Sequence, residues 1–309
     1  MTSLIYNIKT IVNTRDSVTL LRGAELSDLP CLHNAYIITE DDEIADVGLM
    51  SHMMFKVSDV PNSIDASGRL VLPGWCDSHT HLVYAGSREN EFVDKIKGLS
   101  YAEIAARGGG ISNTARIVNE TSEEQLFAQS YSRLQQVMAL GTGAIEIKSG
   151  YGLTVEGELK MLRVIKRLKE QTRLMIKSSF LGAHTIPAEF KESRESYIQL
   201  IIDQMLPMIE QEKLADYIDV FCDEGFFSAE ETILLCNAGK ARGLKPKIHA
   251  NQLAVSGGVQ AGIQVGAVSV DHLEHMDEDA ISSLANSSTI GTLLPTAAFF
   301  LRMPYQPAR

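Results

Sequence analysis

The chain has 309 residues, 45% of them hydrophobic, enough for one barrel-sized domain plus a small accessory piece. A formal net charge of -11 and a pI near 5.2, with no Lys/Arg-rich run beyond the helical stretch KMLRVIKRLKE, argue against a nucleic-acid partner. No apolar run reaches membrane-spanning length and MTSLIYNIKTIVNT lacks a signal peptide's long apolar core, so a cytoplasmic chain with no membrane partner is expected.

From 1 to about 66 the pattern is that of strands: SLIYNIKTIVN, then NAYIITEDDEIADVG, in which two apolar runs flank an acidic turn from Glu40 to Glu43. This reads as a small sheet. From about 67 onward short apolar runs alternate with amphipathic helices, the pattern of parallel strands joined by crossover helices. Seven runs qualify as strands: RLVLPG, GAIEIKS, LMIKSSFLG, YIDVFC, PKIHA, AVSVDHL and TIGTLLP. Between them, TSEEQLFAQSYSRLQQVMALG opens on a capping box from Thr121 to Glu124 and stops at Gly141; SAEETILLCNAGKARG repeats the scheme with Ser228, Glu231 and Gly243. TVEGELKMLRVIKRLKE and ESYIQLIIDQMLPMIEQEK also carry apolar faces, and Pro207 should kink the second. The economical architecture is an α/β, TIM-like (β/α)8 barrel over 67–309, one strand short. Cys31, Cys76, Cys222 and Cys236 show neither CxxC pairing nor disulfide spacing, which suits a reducing compartment.

The run RLVLPGWCD leads into His79 and His81. Side chains at i and i+2 share one face of a strand, so the two imidazoles can converge at or just past its C-terminal end, where an α/β barrel carries its active site. That is the geometry of a metal pincer, although His-x-His also arises by chance, with one ring packed and the other solvated. Polar residues close the other strand candidates too: Lys148 and Tyr151, His184, Asp223 and Glu224, His249, and His272. Five of the eight histidines, namely His79, His81, His184, His249 and His272, thus gather at strand ends, as metal and proton-transfer chemistry requires. His33, His52 and His275 fall outside that group.

Taken together, VLPGWCDSHTHLVYAGSREN, RGGGI, EIKSGYGL, SSFLGAHTIP, VFCDEGFFS, HANQ and VDHLEH resemble the imidazolonepropionase family of the amidohydrolase superfamily, over roughly residues 35 to 309. The resemblance implies hydrolysis of the cyclic amide 4-imidazolone-5-propanoate to N-formimidoyl-L-glutamate in histidine degradation. It also implies one Zn or Fe ion in a barrel that carries a β-sandwich formed by both chain ends, residues 1–66 being the N-terminal part of that sandwich. Carried over by motif, His79, His81 and His249 are metal ligands, and His272 touches the metal's water as the catalytic candidate, for oxyanion stabilisation or proton transfer. Arg88, seven residues past His81, is the cation for the propionate; Tyr151 and His184 match the other substrate contacts, and Gln252 is a candidate to hydrogen-bond the ring.

Each of these has an ordinary alternative. His272 could be a strand-end histidine bonded to backbone, Arg88 a surface arginine paired with Glu89 or Glu91, and His184 a solvated loop residue. Gly150 and Gly152 fit a loop whose backbone approaches a ligand, or a plain turn. The GGG run at 108 to 110 lacks a phosphate-loop pattern and reads as a mobile lid or a simple loop.

Two features depart from the family pattern. Gln252 stands where Glu is frequent, and an amide can bind a ring but cannot act as general acid or base. The sequence ends in LRMPYQPAR before an eighth strand whose Asp, on the resemblance, would complete the metal site. With no lysine in FCDEG at the end of the fourth strand candidate, a bridging carboxylated lysine has no evident place, and one metal is expected. Three readings follow: an imidazolonepropionase, another cyclic amidohydrolase or deaminase of the superfamily, or an inactive truncated barrel that binds metal without turnover. The expected partners are a small-molecule substrate and, as an allowed assembly, a second copy in a homodimer.

Overall fold

The computed structural model describes residues 1–17, 20–99, 103 and 109–308. The chain divides into two compact units, Met1–Trp75 and Cys76–Arg309.

The first unit is built on β1 (Thr2–Val12), which pairs antiparallel with β2 (Cys31–Glu40) and parallel with β4 (Asn62–Asp65) and β5 (Leu70–Val71); β3 (Glu43–Leu49) completes the sheet beside β2. The hairpin between β2 and β3 turns at Asp41 and Asp42, inside the predicted acidic turn, and Asp41 takes the left-handed φ of 52° that short polar residues tolerate. Ile8, Ile11, Ala35, Ile37 and Ala66 form its core.

One strand assignment needs correcting. RLVLPG was expected to open the barrel, but Leu70 and Val71 pair with Thr10 and Ile11 of β1. Pro73 cannot donate to a ladder, so pairing ends there and the chain resumes as β6 (Trp75–Asp77) in the second sheet.

That second sheet runs in chain order: β6, β7 (Thr142–Lys148), β8 (Met175–Ala183), β9 (Tyr217–Cys222), β10 (Lys245–Ala250), β11 (Ser269–His272) and β12 (Ile290–Leu293). From β7 to β12 every ladder is parallel. His79, just past β6, places Nδ1 2.7 Å from Asp271 on β11, and Lys247 on β10 donates to the Ser78 carbonyl at 2.8 Å. In a flat sheet β6 and β11 would lie five strand spacings apart, about 24 Å. The sheet is therefore rolled, with its polar face inward.

Crossover helices cover the outside. Val155–Gln171 buries Leu159, Leu162, Ile165 and Leu168 in the same apolar cluster as Ile145, Ile147 and Ile176 of the strands. Thr154 caps it by accepting from the Gly157 N–H, and Ser228 with Glu231 forms the predicted capping box of Ala229–Lys240. The other predicted box is displaced by one residue. Thr121 closes the preceding helix, Ile111–Glu120, and donates to the Ile117 carbonyl, so Ser122 becomes the cap of Glu123–Ala139. Pro207 acts as expected: its ring would crowd the carbonyl four residues back, and the chain widens into a π turn over Ile201–Met205 between Arg194–Leu200 and Leu206–Glu212. All four cysteines are free thiols, and among the described residues no helix is long and apolar enough to cross a membrane.

Candidate active site

Strand alternation decides which side chains enter the rolled sheet. On β7, Ile145 and Ile147 join the apolar core, so Glu146 and Lys148 face the interior. Lys148 Nζ donates to Glu146 Oε1 and to Asp219 Oδ2 of β9, both at 2.7 Å. Lys247 Nζ donates to Glu146 Oε2 at 2.8 Å and lies 3.4 Å from Asp271 Oδ2. Five charged side chains are thus buried together, and such burial is tolerable only because each has an opposite partner. Burial alone would raise the Asp271 carboxyl, but Lys148 and Lys247 outweigh it and hold it below the usual carboxylate range.

The histidines sit directly above. His79 Nδ1 donates to Asp271 Oδ2 at 2.7 Å, and His249 Nδ1 donates to Asp219 Oδ1 at 3.0 Å. His249 Nε2 lies 3.4 Å from His81 Nε2, and His79 Nε2 is buried with no protein partner. One ligand atom from each of His79, His81 and His249 falls within 4.8 Å of the others. Burial first, then neighbouring imidazoles and Lys148, hold all three rings well below the ordinary histidine range, so they are neutral nitrogen donors. Neutral imidazoles with an orphaned buried nitrogen fit a divalent metal, and this group could hold one.

A cavity of about 1140 Å³ opens above the three rings. His272, Arg88, Tyr151, His184 and Gln252 all line it, so the sequence-predicted site residues do come together in space. His272 ends β11 with its ring 5.1 Å from those of both His79 and His249. It and Leu273 take φ values of 87° and 63°, strained for residues with a side chain. Arg88 lines the cavity while also pairing with Glu91, the partner considered in the ordinary alternative. His184 is buried rather than solvated, stacks on His81, and donates from Nδ1 to the Gly150 carbonyl at 2.9 Å. A carbonyl only accepts, so the Nε2 of His184 carries the lone pair; burial pushes this imidazole down to about 4.

Gly150 and Gly152 answer to packing. Gly150 has φ of 104° and a Cβ there would sit 3.0 Å from His184 Nδ1, while a Cβ on Gly152 would lie 2.2 Å from the Glu158 nitrogen. Both glycines donate their N–H to the buried Glu158 carboxylate. Gly109 and Gly110 of the glycine run precede the helix at Ile111, with Gly110 as its cap; Gly108 lies outside the described residues.

The charged layer of Glu146, Asp219, Lys247 and Asp271 goes beyond what the sequence singled out; Lys148 does end β7, as expected, and is wholly buried. The signal was present, since charges inside YIDVFC and PKIHA have no exposed face to occupy in a parallel sheet covered by helices. Asp223, expected to close the fourth strand, accepts from the Gln252 and Leu253 N–H groups and so shapes the loop carrying Gln252.

No family model matches the chain. Among solved structures it is similar to a guanine deaminase from E. coli, with a TM-score of 0.67 at 13% identity, covering 98% of this chain and 69% of that one. A mutant atrazine chlorohydrolase from Arthrobacter aurescens complexed with zinc and atraton gives a TM-score of 0.65 at 13% identity over 99% of this chain and 68% of that one. At such identities the likeness is one of fold: a rolled parallel sheet, covered by crossover helices, that carries its site at the strand ends. Among curated proteins, the chain is 54% identical to an imidazolonepropionase of Flavobacterium johnsoniae and 51% identical to one of Christiangramia forsetii, in each case over 100% of this chain and 75% of the relative. An imidazolonepropionase of Geobacillus kaustophilus is 41% identical over 92% of this chain and 68% of its own length. The chain belongs to the imidazolonepropionase family, and it is a hydrolase.

Proposed function

We propose that this chain hydrolyses 4-imidazolone-5-propanoate to N-formimidoyl-L-glutamate, a step of histidine degradation, with one Zn or Fe ion held by His79, His81 and His249. The observation that carries the reading is the convergence of one ligand nitrogen from each of those three neutral rings within 4.8 Å, beneath a cavity whose wall includes Arg88. A metal bound there supplies Lewis acidity and an activated water.

The chain's own residues do the rest. Arg88 offers its guanidinium to the propionate carboxylate, and His184, neutral at physiological pH, presents the Nε2 lone pair to a ring N–H. Gln252 hydrogen-bonds the ring without titrating, and Tyr151, tilted against His81 and His184, closes one wall. His272 holds or moves a proton at the ring carbonyl as water adds and the ring C–N bond breaks. A homodimer in the cytoplasm belongs to the same proposal, and sedimentation velocity showing only monomer would remove that part.

The test strips the purified chain with a chelator, reloads it with zinc or with ferrous iron, and follows loss of the imidazolone chromophore. Turnover restored by either metal is expected. A chain that binds metal yet leaves the compound unchanged under both conditions overturns the reading.

A further inference from the structure

We propose that Asp219 and Asp271 are positioning residues for the metal site: each takes the Nδ1–H of one ring, His249 or His79, and so fixes the tautomer that leaves Nε2 to a metal ion. The inference rests on the metal reading above.

A carboxylate can only accept, so the ring nitrogens 3.0 Å from Asp219 Oδ1 and 2.7 Å from Asp271 Oδ2 must carry the protons. The other nitrogens of those rings then bear lone pairs. One, His79 Nε2, is buried with no partner, and the other, His249 Nε2, faces His81 Nε2 at 3.4 Å. Neither carboxylate can swing away. Asp271 Oδ1 accepts from Ser269 Oγ at 2.6 Å, and its Oδ2 lies 3.4 Å from Lys247 Nζ and 3.8 Å from Lys148 Nζ. Asp219 Oδ2 is bonded to Lys148 at 2.7 Å.

Charge adds a second argument. Three buried carboxylates, Glu146, Asp219 and Asp271, share two buried lysines, Lys148 and Lys247, leaving a net of one negative charge beneath three neutral rings. That sign favours a cation above them and makes the two partnered rings better donors. The arrangement is asymmetric, because His81 Nδ1 is buried with no partner. His81 is the ring whose tautomer no carboxylate fixes.

The experiment uses the whole chain, selectively labelled with 15N-histidine, and zinc alone as the probe. In the zinc-free protein the ring nitrogen shifts of His79 and His249 should report Nδ1–H and bare Nε2, and zinc should move only the Nε2 signals. Asp271→Asn should lose that tautomer preference at His79 and Asp219→Asn at His249. Each should weaken zinc binding about 10- to 100-fold in competition with a chromophoric chelator. A merely structural role would not alter one ring's tautomer and spare the other's. Nε2–H at His79 and His249 in the zinc-free wild-type chain, or wild-type zinc affinity in both variants, overturns the proposal; should the variants fail to fold, the wild-type spectrum alone decides. A wild-type chain that binds no zinc or iron overturns the metal reading itself, a separable result.

Discussion

Arg88 donates through Nε and Nη2 to a single oxygen of Glu91, Oε2, at 3.0 and 2.7 Å, while Glu91 Oε1 accepts the Gly110 N–H at 2.9 Å. One carboxylate therefore anchors the guanidinium on the cavity wall and ties it to the start of the helix at Ile111. Arg88→Met should raise KM for imidazolone propionate by an amount equivalent to about 1.5 to 3 kcal/mol, the worth of a hydrogen bond to a charged group. Elemental analysis should find metal content unchanged. An unaltered KM would remove Arg88 from substrate binding.

His184 sets an acid limit on stability. Its imidazole titrates at about 4 when folded, because it is buried, against an ordinary value of 6.5. A depressed folded value means its contribution is complete above 6.5 and declines as pH falls through the window to about 4. The loss at the lower end is on the order of 3 kcal/mol. Urea titrations of the metal-free chain between neutral pH and that limit should show the decline, to which the buried rings of His79, His81 and His249 also contribute, and His184→Gln should make it shallower by its own share. Parallel curves for the two proteins would refute the assignment.

Metal stoichiometry should be one per chain. His79, His81 and His249 form the one ligand cluster found among the described residues, and the two lysines buried beneath them, Lys148 and Lys247, are already engaged by Glu146, Asp219 and Asp271. Two tightly held equivalents after exhaustive dialysis would contradict this.

Tyr197 is fully buried and donates its hydroxyl to the Gly182 carbonyl at 2.8 Å, locking the helix Arg194–Leu200 onto β8. Tyr197→Phe removes that bond from a buried strand carbonyl. The expected loss is about 1 to 3 kcal/mol in chemical denaturation, with an unchanged m-value. A loss below a few tenths would mean that water replaces the hydroxyl.

The strands, the crossover helices and the cluster of strand-end histidines were legible because each depends on local period and spacing. The points that were not legible depend on partners far along the chain. Whether Leu70 and Val71 belonged to the first sheet or the second turned on pairing with β1, which no local pattern reveals. Thr121 and Ser122 are equally good caps in isolation, and only the end of the preceding helix at Glu120 separates them. The charges of Asp219 and Asp271 were visible in their strands, but their roles appear only once the sheet rolls and sets them against His249 and His79.

The contact between His79 and Asp271 spans 192 residues of chain, and that between His249 and His81 spans 168. Loop-closure entropy over such separations is offset only as the intervening strands pair, so the ligand cluster is expected to assemble late in folding. Zinc added at the start of refolding should accordingly be captured late, after the helical signal has recovered, which would make metal uptake a clock for the closing event.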